Sequence, residues 1–269
     1  MKSLSIVAVL VGTSFSFAQD SSTKENKEAA IERDVRFVIT GSRPLPTFNG
    51  KGEKSSEVDP AMDLIPPTSI EILSGKDDKK ASRKIPSLIA APLNIIAPLP
   101  GLKSLSKIRL KLSRPIFESA PTQEIDCDLS DKIRPLIVIS ASPEKQAWKS
   151  PQLSVLEVDD KVFPARHVMF VNLSSIPLKV EIDGTVKAIE SGANSLFRLA
   201  PGDEPARYRV DTAQTTGSIT LANSAYRTDQ KSRLILLAFP DPTAQGKANT
   251  SLRILTDSVS PTISTATEK

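Results

Sequence analysis

A strict alternation of apolar and charged residues between Leu178 and Asp183 is the feature that most constrains the fold of this chain. Leu178, Val180 and Ile182 alternate with lysine, glutamate and aspartate. A period of two places the apolar set on one face of a pleated strand and the charges on the other. Shorter alternating runs surround this segment over residues 155–184. We therefore predict a meander of short β-strands there.

Turn residues and prolines separate the alternating segments. Asp183-Gly184 suits a tight hairpin turn in which both residues have positive φ. The chain has 21 prolines against 11 glycines, and proline breaks helices and central strands because it lacks the backbone donor. We predict an all-β fold, an antiparallel β-sandwich of immunoglobulin-like type. One sandwich and two consecutive sandwich halves both fit the sequence.

The N-terminus has the features of a secretory signal peptide. One lysine precedes an apolar segment over residues 4–17, and Ser16-Phe17-Ala18 provides a small-x-small cleavage site. Cleavage after Ala18 predicts a periplasmic or secreted protein. No later segment reaches the ~20 apolar residues of a membrane span, so no membrane span is expected.

Composition along the rest of the chain suggests a division into domains. We expect a signal peptide over residues 1–18, a flexible lead-in over 19–34, an N-terminal β-rich domain over 35–141, a C-terminal β-sandwich domain over 153–258 and a disordered tail over 259–269. The link between the two domains contains Trp148, the only tryptophan, which could cap a core.

Cys127 is the only cysteine of the chain, so the sequence excludes an intramolecular disulfide. An exported protein without disulfides must be stabilised by its hydrophobic core. The neighbouring Asp126 and Asp128 disfavour a thiolate. We therefore predict that Cys127 is a buried apolar residue and not a nucleophile.

Two apolar segments lack the alternation. Residues 85–101 contain four prolines, which exclude a regular helix and a central strand. This segment is either a loop packed across a sheet face or an exposed patch that recruits a partner. The unbroken apolar run at 136–139 predicts a strand that is covered on both faces.

Lys107, Arg109 and Lys111 form a basic row on one face of the predicted strand 107–113. The excess of 35 basic over 31 acidic residues is small, and no basic cluster is interleaved with aromatic residues, so no nucleic-acid surface is indicated. The basic row is either the solvated face of an amphipathic or edge strand or a binding site for an anionic polysaccharide.

His167 is the only histidine, so acid–base catalysis through an imidazole would have to use it. A hydrolase would combine it with Glu157, Asp159 or Asp160, although the two aspartates also suit the closure of a turn. Phosphate-loop, G-x-S-x-G and H-E-x-x-H motifs are absent, and one histidine without spaced cysteines does not indicate a metal site. The sequence predicts no catalytic residue, no cofactor and no metal.

Several turn and strand markers occur in a fixed order in the second half of the chain. They are Val158-Asp159-Asp160, Val162-Phe163-Pro164, the strand end at 170–175, Asp183-Gly184, Gly192, Ala200-Pro201-Gly202 and the run 233–237. Over residues 153–258 this pattern resembles a family of uncharacterised exported β-rich proteins of Verrucomicrobia-type bacteria. The resemblance implies an exported all-β protein without a known activity. Here Arg166-His167 replaces the glycine often found ahead of the Phe-x-Asn strand.

Three functions remain open from the sequence. The first is a non-enzymatic exported protein that binds or braces an unknown protein or polysaccharide of the bacterial cell envelope through loops and edge strands. The second is an anionic-glycan-binding module that uses the basic row. The third is a carboxylate-dependent hydrolase that uses His167.

Overall fold

The computed structural model describes residues 33–49, 56–73, 88–100, 102, 105–114, 121–142, 148–202, 204–213, 217–227, 232–243 and 249–258. The predicted signal peptide, residues 19–32 of the predicted lead-in and the predicted tail lie outside the described residues.

Eighteen β-strands and one short 3-10 helix, Met62–Leu64, form the regular structure of the described residues, which contain no α-helix. The strands are β1 (Arg36–Thr40), β2 (Thr47–Asn49), β3 (Ser56–Val58), β4 (Ser69–Leu73), β5 (Ile89–Ala90), β6 (Ala97–Pro98), β7 (Lys107–Ser113), β8 (Gln123–Asp128), β9 (Pro135–Ser140), β10 (Gln152–Glu157), β11 (His167–Asn172), β12 (Leu178–Ile182), β13 (Thr185–Ile189), β14 (Asn194–Arg198), β15 (Ala206–Thr212), β16 (Thr220–Tyr226), β17 (Ser232–Pro240) and β18 (Thr250–Ser258). The all-β prediction is confirmed.

Two pairs of four-stranded sheets form two sandwich halves. Strands β10-β9-β1-β6 and β5-β4-β7-β8 make the first pair, with a core that contains Phe37, Ile70, Leu110 and Ile139. Strands β18-β17-β11-β14 and β13-β12-β15-β16 make the second pair. Its core draws on both sheets in the same way. The strand pairings of each half are antiparallel except for one central parallel pairing, β1 with β9 in the first half and β11 with β17 in the second.

The two halves have the same strand topology. Replacing β1, β4, β5, β6, β7, β8, β9 and β10 by β11 to β18 in order converts the two sheet orders of the first half into those of the second. The parallel pairing also falls at the same place. The β2–β3 hairpin is additional in the first half. We refer to β1–β10 as the N-terminal repeat and to β11–β18 as the C-terminal repeat.

Equivalent faces of the two repeats pack against each other. Val38 and Val138 from one repeat share a buried cluster with Met169, Ile235 and Leu237 from the other. Both repeats lie in one compact unit, Ile31–Lys269. Strand β9 is buried at every position, because one face contacts the core of its own repeat and the other contacts this shared cluster. The strand predicted at 136–140 to be covered on both faces is confirmed.

The predicted meander at 155–184 is wrong, although its strands are present. β10 pairs with β9, β11 with β14 and β17, and β12 with β13 and β15, so the three strands lie in three different sheets. A period of two identifies a strand but contains no information on its partner. β10 includes residues from the start of the predicted C-terminal domain and is hydrogen-bonded into a sheet of the N-terminal repeat. The division into domains stays a prediction.

Local predictions from turn and core residues are confirmed at several positions. Asp183 and Gly184 join β12 to β13 with φ values of 46° and 79°, as the primed hairpin turn requires. Trp148 and Cys127 are buried in the core of the N-terminal repeat.

The proline-rich segment at 85–101 contains both packed and exposed apolar residues. Its described part contributes the two-residue strands β5 and β6, each at the edge of a sheet, which fits the exclusion of a central strand. Leu99 is buried, whereas Leu88 and Ile95 are more than half exposed.

Candidate functional site

The basic row of β7 is matched by acidic side chains on the neighbouring strands. Arg109 donates two hydrogen bonds to Asp126, with its Nε 2.6 Å and its Nη2 3.0 Å from the carboxylate oxygens. Lys111 contacts Glu71 at 3.0 Å, and the Nζ of Lys107 lies 3.9 Å from Asp128.

This pairing changes the electrostatics of the predicted glycan site. The hydrogen bonds from Arg109 lower the pKa of Asp126, and hydrogen bonds from Ser130 lower the pKa of Asp128. Both carboxylates are therefore charged at neutral pH and offset the cations beside them. The three basic residues share one face, as the alternation predicted, but this face carries anions of similar number.

The acids proposed for a hydrolase hold backbone groups and arginines. Glu157 accepts hydrogen bonds from the backbone N–H groups of Ile133, Arg134 and Asp159, at 2.8 to 3.0 Å. Asp159 caps the turn that follows by accepting from the N–H of Lys161 at 3.0 Å. The turn-closing role expected for Asp159 is thus observed.

Asp160 belongs to a closed ring of alternating charges at one end of the shared cluster, which we call the ionic ring. Following the contacts from residue to residue, it consists of Asp34, Arg36, Asp257, Arg233, Asp160 and Arg134. Three carboxylates and three guanidinium groups are equal in number, so the ring has no formal net charge.

Arg233 is the most deeply buried member of the ionic ring. Its side chain is fully buried, and its Nε donates to Asp257 at 2.7 Å. Its Nη1 donates to Asp160 at 2.9 Å and to the carbonyl oxygen of Phe163, and its Nη2 donates to the carbonyl oxygen of Val158 at 2.6 Å. The guanidinium also lies over the Phe163 ring, 4.9 Å from its centroid. With four of its five N–H donors bonded inside the protein, Arg233 is a structural element and not a free binding group.

The ionic ring links the two repeats. Arg36 on β1 donates to Asp257 on β18, and Arg134, which precedes β9, donates to Asp160 at 3.0 Å. A second polar contact joins the repeats elsewhere, since Ser42 donates to Asp241 at 2.7 Å.

Asp241 is held in its charged form by neighbouring hydroxyl groups. Burial raises its pKa, but hydrogen bonds from Ser251, Thr243 and Ser42 outweigh burial and leave the pKa below its usual value. A charged Asp241 accepts all three hydroxyl donors. The contact from Ser42 therefore persists at neutral pH.

His167 lies apart from this ionic ring, in an open pocket of about 310 Å³. We call it the basic pocket; its lining residues are Ala165, Arg166, His167, Arg198, Leu199 and Pro201. Among the described residues no carboxylate lines it. The structure therefore does not bring Glu157, Asp159 or Asp160 into a pocket with His167.

Strand pairing builds the basic pocket from two distant segments. His167 on β11 is directly opposite Arg198 on β14. The Nδ1 of His167 lies 2.9 Å from the carbonyl oxygen of Ala165, and because a carbonyl oxygen can only accept, Nδ1 carries a proton. Nε2 has no hydrogen-bond partner among the residues that the structure describes.

Arg166 has a left-handed backbone conformation with φ of 59°. Glycine adopts this conformation without a steric penalty, whereas a residue with a Cβ atom does not. The Nη2 of Arg166 donates to the carbonyl oxygens of Ala200 at 2.7 Å and Gly202 at 3.2 Å. The side chain is thus fixed at the rim of the pocket.

A second hollow of about 180 Å³ adjoins the basic pocket and shares Arg166, Leu199 and Pro201 with it. Asp183 and Glu204 line this second hollow. Asp183 accepts the backbone N–H groups of Arg207 at 2.9 Å and Ala200 at 3.2 Å. Its carboxylate is therefore engaged in bracing the loop between β14 and β15.

Sequence reasoning missed the basic pocket and the ionic ring. The adjacent Arg166 and His167 are the one available signal for the pocket, and by themselves they do not show that Arg198 lies beside them. Burial raises the pKa of the Cys127 thiol to about 12, with a further contribution from Asp128, which agrees with the predicted inert cysteine.

Neither a metal cluster nor a membrane helix occurs in the described part of the chain. No group of three or more His, Cys, Asp or Glu side chains there is placed to hold a metal ion. Within the same ranges, no helix has the length and apolar character needed to cross a membrane.

Comparison with known proteins adds no further assignment, since no protein-family model and no curated protein matches the chain.

Proposed function

We propose that this chain is an exported, non-enzymatic β-sandwich protein with a binding or structural role in the bacterial cell envelope. The observation that carries the proposal is the way in which the two repeats are joined, through a shared apolar cluster and the ionic ring. A tandem body of this kind presents the loops and edge strands of both repeats in one fixed arrangement. Fixed loops and edges are what a bracing or binding protein uses to engage a partner.

The engagement of the candidate catalytic acids also supports a non-enzymatic role. A general acid or base must be free to exchange a proton with substrate. Glu157 accepts three backbone N–H groups, and Asp160 is shared by Arg134 and Arg233. Because both carboxylates are engaged in bonds that stabilise the fold, they are poorly placed to act as the general acid or base of a hydrolase.

The pairing of the basic row weighs against the alternative of an anionic-glycan site at Lys107, Arg109 and Lys111. An anionic ligand would have to compete with acids that already contact these residues at 2.6 to 3.9 Å. The basic row therefore matches the solvated face of an amphipathic strand better.

Export and envelope association are tested by fractionating a bacterial host that produces the full chain with a C-terminal tag. We expect a processed protein that begins at Gln19 and is recovered in the periplasmic or envelope fraction. A variant without residues 2–18 is the matched control and should stay in the cytoplasm at full length. Recovery of the unprocessed full chain in the cytoplasm would refute the export part of the proposal.

The binding or structural part is tested by chemical cross-linking in intact cells. We expect discrete cross-linked species that contain an envelope component in the wild type. Fewer of these species should form with a variant in which the ionic ring is broken, such as Asp257→Ala. A chain that stays monomeric and uncross-linked throughout the envelope fraction would contradict this role.

A further inference from the structure

We propose that the basic pocket is a binding site for an oxyanion, a carboxylate or phosphate group presented by a ligand. The inference goes beyond the proposed envelope role and does not depend on where the protein resides. It rests on the two arginines that line the pocket where no described carboxylate does, on the placement of His167 and on the conformation of Arg166.

The cations of the basic pocket differ from the other well-placed arginines of the structure. Arg109, Arg134 and Arg233 each contact a carboxylate within 3.0 Å. Within the described ranges, Arg166 and Arg198 line the pocket without an ion pair, and the side chain of Arg166 bonds only to carbonyl oxygens. Unpaired guanidinium groups around a hollow favour an anion, since their planar N–H groups match a carboxylate or phosphate.

His167 adds a polar side chain whose position is set by the strand pairing. It stands opposite Arg198 in the β11–β14 register, where the Cβ atoms of paired residues are ~4.5–5.5 Å apart. This pairing places the imidazole of His167 beside the guanidinium-bearing Arg198 at the wall of the basic pocket. With Nδ1 bonded to the carbonyl oxygen of Ala165, Nε2 is the ring nitrogen that a ligand in the pocket would meet.

The conformation of Arg166 is the third observation. A left-handed backbone is unfavourable for any residue with a Cβ atom, yet an arginine is present where glycine would fit without penalty. What the arginine adds is a guanidinium fixed by Ala200 and Gly202 at the rim of the basic pocket. Only one Nη group of Arg166 is used in those two bonds, so its other N–H groups remain as donors.

The size of the basic pocket limits the ligand group. A volume of about 310 Å³ is at the lower end of the ~300–1,000 Å³ typical of small-molecule sites. It suits a single anionic group with part of the residue that carries it, such as one uronate unit or one phosphate ester. The apolar side chains of Leu199 and Pro201 provide a contact surface for the uncharged part of that unit.

The only histidine of the chain makes a direct test possible, because its ring signal in an NMR spectrum needs no assignment. We would titrate the folded protein, at fixed pH and ionic strength, with a galacturonate trisaccharide, with inorganic phosphate and with sodium chloride. A saturable shift of the His167 Cε1–Hε1 signal with the trisaccharide or with phosphate is expected. Arg198→Gln should weaken the affinity by ~10-fold or more, the value of one charge-assisted hydrogen bond.

The matched control is Arg109→Gln, which also removes an exposed arginine from a strand but leaves the basic pocket intact. It should not change the affinity. Arg198→Lys serves as a second variant, because it keeps the charge and removes only the planar donor pair; it should show an intermediate loss. Circular dichroism and thermal unfolding would establish that each variant is folded.

The outcomes distinguish a carboxylate ligand from a phosphoryl ligand, and both of these from failure of the proposal. Saturation with the trisaccharide alone identifies a carboxylate ligand, and saturation with phosphate alone identifies a phosphoryl ligand. A shift that does not saturate, or an equal loss of affinity in Arg109→Gln and Arg198→Gln, would overturn the site. Envelope association would be untouched by that result, so the two proposals fail independently.

Discussion

Arg233 and Asp257 face each other across β17 and β18 at the positions that Leu136 and Leu156 occupy in the N-terminal repeat. The equivalence follows from the first strand of each repeat. Phe37 on β1 pairs with Ile137, and its counterpart Val168 on β11 pairs with Leu234. Leu136 and Arg233 each come one residue before these partners, so they occupy equivalent positions. Both cross-strand pairs are buried at the contact between the repeats. One apolar pair and one ion pair thus fill the same site of a duplicated topology.

Breaking the Arg233–Asp257 pair should destabilise the protein more than replacing it. Arg233→Leu alone leaves Asp257 buried with only Arg36 as a charged partner, and Asp257→Leu alone leaves Arg233 buried with Asp160. Removing one member of a buried ion pair costs ~3–5 kcal/mol, and we expect each single variant to lose about that much unfolding free energy. Urea denaturation measures it.

The double variant Arg233→Leu/Asp257→Leu reproduces the apolar pair of the N-terminal repeat. The remaining charges still balance, since Arg36 can pair with Asp34 and Arg134 with Asp160. We expect the double variant to be more stable than either single variant, with a coupling free energy of ~2 kcal/mol or more. Additive losses would show that the two side chains do not act as a pair.

Cys127 should make the stability depend on alkaline pH. Its pKa is raised to about 12 in the folded protein, against ~8.5 for an exposed thiol. The protonated thiol therefore stabilises the fold fully below about pH 8.5, and this contribution is lost as the pH rises towards 12. Relative to Cys127→Ala, the wild type should lose ~1.4 kcal/mol per pH unit in that window.

Denaturation midpoints of wild type and Cys127→Ala at pH 7 and pH 10 test this dependence. Groups such as lysine and tyrosine titrate in both proteins and cancel in the comparison. A thiol reagent should modify the wild type only when the protein unfolds. Rapid labelling in the folded state, or parallel pH profiles, would contradict a buried Cys127.

Local sequence patterns predicted individual strands well. The predicted strand at 107–113 matches β7 at both ends, because alternation and flanking turn residues are local properties. β8 could not be predicted, because Ile125 and Cys127 are its only apolar residues and all its other residues are polar. The two-residue strands β5 and β6 are too short for any period to be visible.

The duplication and the basic pocket could not be predicted from the same patterns. β1 reads Arg-Phe-Val-Ile-Thr and its counterpart β11 reads His-Val-Met-Phe-Val-Asn, so the shared property is burial and not residue identity. The pocket joins residues 165–167 with 198–201 through the pairing of β11 with β14. Register across such a separation depends on the whole sheet and not on either segment alone.

Gly41→Ala should disturb the only tryptophan. A Cβ atom at Gly41 would lie 2.9 Å from Cζ2 of Trp148, whose side chain is buried in the core and whose backbone N–H donates to the carbonyl oxygen of Asp63 at 2.9 Å. Overpacking of a buried site costs ~1–3 kcal/mol. We expect that loss of stability together with a change in tryptophan emission.

Gly192→Ala is the control for Gly41→Ala. Gly192 has φ of 76°, and a Cβ atom added there would meet no other atom within 4 Å, so alanine should cost ~1 kcal/mol through the backbone alone. Its tryptophan emission should equal that of the wild type. Unchanged emission in Gly41→Ala would show that Trp148 moves freely and that the contact is unimportant.

Arg166 allows the cost of its backbone conformation to be separated from the benefit of its side chain. Arg166→Ala loses the bonds to Ala200 and Gly202 and keeps the left-handed strain, whereas Arg166→Gly loses the same bonds and relieves the strain. We expect the glycine variant to be more stable than the alanine variant by ~1 kcal/mol. The two backbone bonds of residue 166, from Leu199 and to Ser232, hold the conformation in both variants, so the difference reports φ alone. Equal stability of the two variants in urea would mean that the backbone relaxes out of the left-handed region when the guanidinium is removed, and that the side chain itself imposes the conformation.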